Sequence, residues 1–438
     1  MTRLKGFDLI ALGFMTFALF LGAGNIIFPA SAGMASGDNI WSVALGFLLT
    51  GVGLPLLTVV ALARVGGGMP NLTHPLGKLA GTLLAVTVYL AIGPLFATPR
   101  TAVASFEIGV APFTGSSAVA LLCYTLVFFG IVMFLVINPG RLLDRLGKVL
   151  TPVLLIALIL LGAAAVFAPA GPVGEAVETY QQVPLLKGFL DGYLTMDALG
   201  ALVFGIVIAT AIRDRGVTAP HLITRYSIIA VIIAAIGLSL VYLSLFYLGA
   251  TSQTVATGAS NGGQVLTAYV KHTFGTPGLL LLAVVIVLAC LTTAVGLITA
   301  CGEFFSELMH IPYRAVVWVF SLFSLLVANL GLNELIRISV PVLVGLYPLA
   351  IVLVGLSLAD RLWRQPRRVF RPVMAVTLIF GLADGLLASA FKDLVPDVFT
   401  TLPGAAQSMG WVLPVLLVLG VAVVIDRLLP VAAESAKQ

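Results

Sequence analysis

Charged residues are scarce in this sequence of 438 residues: Asp, Glu, Lys and Arg make up 9% of it, whereas 60% is hydrophobic. Soluble domains carry about 25% charged residues, so the composition excludes a soluble globular protein, a disordered chain and a coiled coil. The formal net charge of +5 does not indicate a nucleic-acid partner, because membrane proteins concentrate Lys and Arg in cytoplasmic loops. Long, continuous apolar runs also exclude an outer-membrane barrel, whose strands alternate apolar and polar residues. An all-α polytopic membrane protein remains.

Cysteine and histidine are equally rare. Cys123, Cys290 and Cys301 lie in apolar runs without CxxC spacing, and the four histidines are isolated from one another. This pattern predicts free thiols and no transition-metal site. An intramembrane enzyme would need metal ligands or a nucleophile–base pair at membrane depth, and the apolar runs contain no HExxH or GxSG-like motif. We therefore expect a protein that is not an enzyme.

The apolar residues predict about twelve membrane-spanning helices of ~20 residues or more each in a single integral membrane domain over residues 1–438. The first run continues past any signal-peptide cleavage site, so we interpret it as the first span. The predicted spans lie near residues 8–35, 39–65, 77–110, 116–137, 147–168, 192–213, 222–250, 276–302, 313–330, 334–359, 372–391 and 410–429.

The basic residues predict the orientation of these spans. Of the 23 Lys and Arg residues, 18 fall on one side of the predicted membrane, three on the other, and Arg100 and Arg337 within spans. Cytoplasmic loops carry the excess of Lys and Arg, so both termini are expected in the cytoplasm. If one span had been missed, every later loop would be assigned to the opposite side of the membrane and the excess of Lys and Arg on one side would disappear. The excess therefore supports the number of spans.

The first predicted span is interrupted near its middle. Residues 20–30 read FLGAGNIIFPA, in which Gly22, Gly24, Asn25 and Pro29 all disfavour a continuous helix,. Unwound backbone at membrane depth must line a protein-walled cavity, where free carbonyls can bind a cation and a helix N-terminus can bind a carboxylate. The alternative is a glycine-rich packing kink without a ligand.

The sixth predicted span is short, and we expect a break near Val203, Phe204 and Gly205. Interrupted spans at corresponding places in two halves point to a transporter site. Because five spans are an odd number, the second half is inverted relative to the first. The sequence thus predicts inverted repeats over residues 8–168 and 192–359, followed by two C-terminal helices over 372–430. A passive channel is less consistent with such breaks, which suit a closed central site.

Hydroxyls in the eighth span form a candidate cation site. Thr292 and Thr293 are adjacent, with Ala289 about one helical turn before them. Together with free carbonyls from the first span they supply the hard oxygen ligands that suit an alkali cation. The alternative is that both hydroxyls bond to carbonyls of their own helix.

Charged residues inside membrane spans are rare and often functional. Arg100 and Glu107 lie two helical turns apart in the third span, Glu334 and Arg337 lie at i, i+3 in the tenth, and Asp197 begins the sixth. We interpret the first four as gate or coupling candidates. The alternative is that they form structural ion pairs near the membrane surface.

The strings FLGAGNIIFPASAG, ATPRTAVASFEIGV, DALGALVFGI and AIRDRGV resemble the bacterial branched-chain amino acid carrier family. The resemblance covers essentially the whole chain. It implies import of leucine, isoleucine and valine across the bacterial cytoplasmic membrane with a coupling cation, generally Na⁺. It also implies a fold similar to the five-plus-five inverted-repeat transporters typified by LeuT. No nucleic acid and no obligate protein partner is expected beside the substrate and the lipid bilayer.

The same resemblance implies roles for individual positions. The substrate would contact the two breaks, its carboxylate docking on amides of the first and its ammonium on carbonyls of the second. The implied substrate-binding residues are Gly22, Ala23, Gly24, Asn25, Ala201, Val203, Phe204 and Gly205. The implied Na⁺ ligands are the carbonyls of Ala18, Leu21 and Ala289 and the hydroxyls of Thr292 and Thr293. An H⁺-coupled amino-acid symporter, in which a membrane carboxylate such as Glu107 titrates, is the alternative.

Overall fold

The computed structural model describes residues 4–66, 68–137 and 141–430, and every regular element in these ranges is helical. The first group of helices is α1 (Gly6–Phe20), α2 (Gly24–Ser36), α3 (Ile40–Leu48), α4 (Leu54–Arg64), α5 (Met69–Thr73), α6 (Lys78–Leu90), α7 (Ala97–Gly109), α8 (Ala111–Thr114), α9 (Ala118–Ile137) and α10 (Arg141–Phe167). The second group is α11 (Glu178–Gln182), α12 (Pro184–Asp191), α13 (Asp197–Arg213), α14 (Pro220–Ala250), α15 (Gly262–Met309), α16 (Tyr313–Ala328), α17 (Leu332–Leu358), α18 (Pro366–Leu387), α19 (Asp397–Thr400) and α20 (Val412–Leu428).

Within the described ranges, seven continuous helical stretches are long and apolar enough to cross a membrane, and a bent pair adds an eighth. They are Gly24–Arg64, Lys78–Gly109, Ala118–Ile137, Pro220–Ala250, Gly262–Met309, Leu332–Leu358 and Pro366–Leu387, with the pair Pro184–Thr195 and Asp197–Arg213. Helix also occupies each of the twelve segments predicted from the sequence. The multi-pass helical architecture is thus confirmed, whereas the count of twelve crossings and the repeat boundaries stay predictions. The terminal residues 1–3 and 431–438 lie outside the described residues.

Several of these helices bend where glycine or proline interrupts the hydrogen-bond ladder. A π-helical turn at residues 91–95 joins α6 to α7, and Gly93 within it has non-helical backbone angles before Pro94. Helix α15 bends at Gly275, whose φ of 65° lies in the left-handed region that favours glycine,. The bend coincides with the predicted start of the eighth span, so the membrane-length part of α15 follows it.

The helices pack into two main groups. Helix α14 runs along α1, α2 and α4, and α13 packs against α4 and α1. Helix α15 packs against α7, α9 and α16 and also contacts α2. Helices α17, α18 and α20 pack in sequence beside them. The break between α1 and α2 therefore lies between the α14 group and the α15 group.

Small residues allow a close backbone contact between α2 and α14. A Cβ atom added to Gly33 would lie closer than 3.0 Å to the Phe246 carbonyl, and one added to Gly249 would lie equally close to the Ala30 carbonyl. Membrane helices associate through such small residues, because lipid provides no hydrophobic driving force between them. This packing fixes α2, and with it the start of the helix after the break.

Candidate binding site at the helix breaks

The first helix breaks at residues 21–23, as the sequence predicts. Leu21 has extended backbone angles (φ −73°, ψ 90°). The Gly22 amide donates to Asn25 Oδ1 at 3.0 Å, and the Asn25 amide donates to the Gly22 carbonyl at 3.2 Å. These bonds replace the helical ones, so the carbonyls of Ala18 and Leu21 lose the amide donors they would have in a helix. Pro29 lies inside α2 without interrupting it.

The second break lies earlier than predicted. A 3₁₀ turn over Gly192–Thr195 leads to Met196, which has a left-handed conformation with φ of 63°. Helix α13 then begins at Asp197, and the two helical pieces meet at a bend of 43°. A side chain other than glycine in this backbone region carries strain of about 1–3 kcal/mol and often marks a functional site. The neighbouring Asp197 is thereby placed at the start of a helix that faces the first break.

The predicted break near Val203, Phe204 and Gly205 is wrong, since all three lie within the continuous helix α13. Glycine costs only about 1 kcal/mol in a helix interior, which packing can offset. Here a Cβ atom on Gly205 would lie 2.5 Å from Leu62 Cδ1. Gly205 therefore allows α13 to approach α4 rather than breaking α13.

A buried hydrogen-bond cluster joins the two breaks. Asn25 Nδ2 donates to Asp197 Oδ2 at 2.6 Å and also to the Tyr242 hydroxyl oxygen. The Tyr242 hydroxyl in turn donates to Asp197 Oδ2 at 2.7 Å. Asn25, Asp197 and Tyr242 are 2%, 4% and 0% exposed. These are neutral donors, so hydrogen bonds solvate the carboxylate, and it has no ion-pair partner among the described residues.

Arg100 approaches the same break from α7. Its Nη1 donates to the Leu194 carbonyl at 2.5 Å, its Nη2 donates to Ser339 Oγ at 3.3 Å, and its guanidinium lies 5.0 Å from the centre of the Phe28 ring. Arg100 is only 2% exposed, and its Nε has no hydrogen-bond partner among the described residues. The ion pairs found in the described ranges include neither Arg100 nor Asp197.

A cavity lies where these groups meet. Its wall combines backbone of the first break, two charged residues and apolar side chains. The lining residues are Leu19, Phe20, Gly22, Ala23, Gly24, Asn25, Ile92, Ala97, Arg100, Thr101, Thr195, Met196, Asp197, Gly200, Phe204, Thr293 and Leu297. A site of this kind can hold a small molecule with both polar and apolar parts.

The cavity brings together only part of the residues implied from the sequence. Gly22, Ala23, Gly24, Asn25, Phe204, Thr293 and Arg100 line it. Ala18, Leu21, Ala201, Val203, Gly205, Ala289 and Thr292 are not among its lining residues. On α13, Asp197, Gly200 and Phe204 line the cavity, whereas Ala201 and Val203 are buried without lining it.

The two threonines of α15 bond to their own helix. Thr292 Oγ1 donates to the Ala289 carbonyl at 2.9 Å, and Thr293 Oγ1 donates to the same carbonyl at 3.0 Å. A hydroxyl that donates in this way keeps oxygen lone pairs that can coordinate a cation. A Cβ atom on Gly22 would lie 3.5 Å from the Thr293 methyl group, so Thr293 lies against the first break.

The remaining gate or coupling candidates lie away from this cavity. Glu107 is partly exposed on α7, and its side chain lies beside Gln264 of α15. Glu334 and Arg337 form an ion pair at 2.8 Å whose side chains are 49% and 77% exposed. This pair has the surface geometry of the structural alternative, and its role in gating stays a prediction.

Sequence reasoning missed Tyr242 and Thr195, and it recognised Asp197 only as a charge at the start of a span. Tyr242 stands in the apolar run VYLSLFYLG of α14, where no neighbouring polar motif connects it with Asn25 or Asp197. Its distance of 45 residues from Asp197 is closed only by the packing of α13 against α14. A tyrosine in the middle of a span was therefore the one available signal.

The fold is that of solved membrane transporters. One match is the structure of MhsT in complex with L-phenylalanine, with a TM-score of 0.54 and 14% identity, covering 94% of this chain and 98% of that one. Another is Mhp1, a nucleobase-cation-symport-1 family transporter with bromovinylhydantoin bound, with a TM-score of 0.55 and 13% identity, covering 96% and 94%. At these identities the likeness concerns the fold.

The chain belongs to the family described as branched-chain amino acid transport protein, whose model matches residues 5–429. It is 71% identical over 435 residues to the branched-chain amino acid transport system 2 carrier protein of Pseudomonas aeruginosa, covering 99% of this chain and 100% of the relative. It is 52% identical over 425 residues to the branched-chain amino acid permease BrnQ of Escherichia coli strain K12, covering 97% of each. The family and these relatives are transport proteins rather than enzymes.

Proposed function

We propose that this chain is a Na⁺-coupled symporter that imports leucine, isoleucine and valine across the bacterial cytoplasmic membrane by alternating access. The observation that carries the proposal is the cavity at the two helix breaks, which combines backbone and charged groups with an apolar wall. The names of the relatives indicate which amino acids fit.

The cavity has separate surfaces for the two ends of such a substrate. The amides of Ala23 and Gly24 donate to no carbonyl in the described part of the chain, so they are available at the start of α2 for a carboxylate. The aliphatic side chain would lie against Leu19, Ile92 and Leu297, with Phe204 closing the pocket. Such a pocket distinguishes aliphatic side chains that differ by one methylene by only about 1–3 kcal/mol.

The proposed sodium site lies between α1 and α15. The carbonyls of Ala18 and Leu21 are without helical amide donors, as described above, and Thr293 faces the same break. The Ala289 carbonyl and the Thr292 hydroxyl would complete a set of oxygen ligands, which suits a hard cation. Sodium at this position would join the broken helix to α15 and so couple ion binding to the substrate cavity.

Helix packing supports the proposed inverted repeat. The first span (α1 and α2) packs on the seventh (α14), the sixth (α13) packs on the second (α4), and the third (α7) packs on the eighth (α15). A two-fold operation that exchanges each span with the fifth one after it converts the first contact into the second and maps the third onto itself. With both termini in the cytoplasm, spans 1, 2, 6 and 7 would rock against the others.

Proton coupling is the second candidate, because Asp197 is a buried carboxylate at the cavity. Intramembrane carboxylates often serve proton relays. In that case the uptake of leucine would follow a proton gradient, and the threonine hydroxyls of α15 would contribute little to ion dependence.

The deciding experiment is uptake of radiolabelled leucine into proteoliposomes with an inward Na⁺ gradient or a choline gradient at matched pH. We expect accumulation only with Na⁺. In Thr293→Val, which removes the hydroxyl and keeps the shape, we expect the Na⁺ concentration for half-maximal uptake to rise about tenfold or more. Thr87→Val is the matched control, since Thr87 Oγ1 makes the same bond to its own helix (2.9 Å to the Leu83 carbonyl) on an exposed surface. Equal accumulation under both gradients would refute sodium coupling and favour protons.

A further inference from the structure

We propose that Arg100 and Asp197 bind the two charged groups of the substrate zwitterion, with the guanidinium receiving the α-carboxylate and the carboxylate receiving the α-ammonium. The inference rests on the proposed function, because it assumes that the cavity takes an α-amino acid. It adds two ionic anchors that the resemblance to known carriers does not imply, one on α7 and one at the start of α13.

The first argument is that both charges are buried without an ionic partner. Arg100 and Asp197 are 2% and 4% exposed, and neither is within ion-pair distance of an opposite charge in the described ranges. Buried charges in membrane proteins almost always pair with one another or face a ligand pathway. Leaving a charge unpaired in such a place is costly, so a ligand that supplies both missing charges is strongly favoured.

The second argument is that the unpaired atoms belong to one cavity. Both residues line it. A Cβ atom on Gly24 would lie 3.4 Å from Arg100 Nη1 and 3.4 Å from the Thr195 carbonyl, which places the guanidinium directly beside the first break. Two nitrogens of Arg100 donate hydrogen bonds to Leu194 and Ser339, whereas a guanidinium has five N–H groups. Donors therefore remain for a carboxylate.

The third argument is that the arrangement excludes simpler ligands. A lone anion would leave Asp197 unpaired, and a lone cation would leave Arg100 unpaired. An α-amino acid carries both charges on neighbouring groups and projects its side chain away from them. The apolar part of the wall, formed by Leu19, Ile92 and Leu297 with Phe204, receives that side chain.

The test uses leucine and two analogues that each lack one charge. They are 4-methylpentanoate, which lacks the ammonium, and 3-methylbutylamine, which lacks the carboxylate. Displacement of labelled leucine from the purified full-length protein at saturating Na⁺ gives the affinity of each compound. In the unaltered protein we expect both analogues to bind about ten- to a hundredfold more weakly than leucine, as the loss of one charged hydrogen-bond set implies.

The variants should separate the two anchors. In Asp197→Asn, leucine affinity should fall about ten- to a hundredfold while 4-methylpentanoate affinity stays unchanged. In Arg100→Gln, leucine affinity should fall similarly while 3-methylbutylamine affinity stays unchanged. Asp426→Asn is the matched control, since Asp426 is a carboxylate 1% exposed that bonds the amides of Arg364 and Gln365. It should leave all three affinities unchanged.

Other outcomes would overturn the inference. Equal weakening of leucine and both analogues would show a general distortion of the site, and leucine affinity within twofold of the unaltered protein in Asp197→Asn would exclude the ammonium anchor. A shifted Na⁺ dependence with unchanged leucine affinity would assign Asp197 to the cation. If Asp197→Asn is not monodisperse, Asp197→Glu, which displaces the charge by one methylene, should weaken leucine selectively. Failure of the unaltered protein to bind leucine would instead refute the proposed function.

Discussion

Removing the Asn25 side chain should damage the site more than removing any comparable amide elsewhere in the protein. Asn25 Oδ1 accepts from the Gly22 amide, and Nδ2 donates to Asp197 and to Tyr242. Asn25→Ala therefore leaves one buried amide without an acceptor and takes one donor from a buried carboxylate. The shape of the first break and the position of Asp197 both depend on these bonds.

The expected cost follows from the bonds lost. An orphaned buried amide costs about 1–3 kcal/mol, and a hydrogen bond to a charged group contributes about 1.5–3 kcal/mol. Polar bonds between membrane helices average only about 0.6 kcal/mol, because the unfolded chain in the membrane also finds partners. Since the three groups act as a cluster, their terms are not additive. We expect a loss of about 2–5 kcal/mol in the free energy of unfolding and at least a tenfold loss of leucine affinity.

The matched control is Asn329→Ala. Asn329 Nδ2 also joins two helices, donating to Thr125 Oγ1 at 3.0 Å and to the Leu325 carbonyl at 2.8 Å, but it does not line the cavity. Thermal unfolding in detergent gives the stability of both variants, and displacement of labelled leucine gives their affinity. If Asn25→Ala and Asn329→Ala lose the same stability and neither loses affinity, the cluster does not shape the site and the reasoning fails.

Three further predictions concern packing, the pocket and the surface. Gly249→Ala should lower the thermal unfolding temperature, because its Cβ would lie closer than 3.0 Å to the Ala30 carbonyl,. Gly130→Ala is the control and should not lower it, since a Cβ there would have nothing within 4 Å. Equal thermal unfolding temperatures for the two variants would refute the close contact of α2 and α14. Phe204→Leu should improve phenylalanine as a competitor of leucine uptake by removing the aromatic ring from the pocket wall, and unchanged competition would mean that Phe204 does not bound the side-chain pocket. Glu334→Gln breaks an exposed ion pair and should change the free energy of unfolding by less than about 1 kcal/mol; a large loss of uptake at unchanged stability would assign the pair to a gate.

The sequence predicted the first break because local chemistry determines it. Two glycines lower the helix propensity of this segment. The Asn25 side chain, three residues after Gly22, can accept a hydrogen bond from the Gly22 amide that the helix no longer uses. The helical class and the approximate positions of the spans follow in the same way from the length and continuity of the apolar runs. These features depend on residues close together in the chain, so they can be read without knowing how the helices pack.

The second break and the ionic anchors depend on packing instead. Gly205 resembles a helix breaker in the sequence. In the structure, the absence of a side chain at Gly205 lets Leu62, which lies 143 residues earlier in the chain, pack closely against α13. Met196 carries the actual break, although nothing in an unbranched apolar residue predicts a positive φ,. Tyr242 reaches Asp197 only because α13 and α14 pack side by side. A single sequence does not contain these distances.

The placement of the two anchors gives a physical reason why only the complete zwitterion would drive transport. Arg100 lies on α7, which packs with α15, whereas Asp197 lies on α13, which packs with α1, α4 and α14. These are the two groups of helices proposed to rock against each other. A ligand can shift a conformational equilibrium only by its difference in affinity for the two states. A molecule with one charge would bind one group and leave the other unpaired, while an α-amino acid joins both and favours the state in which they are closest. Under this reasoning, substrate selection and closure of the site depend on the same pair of charges.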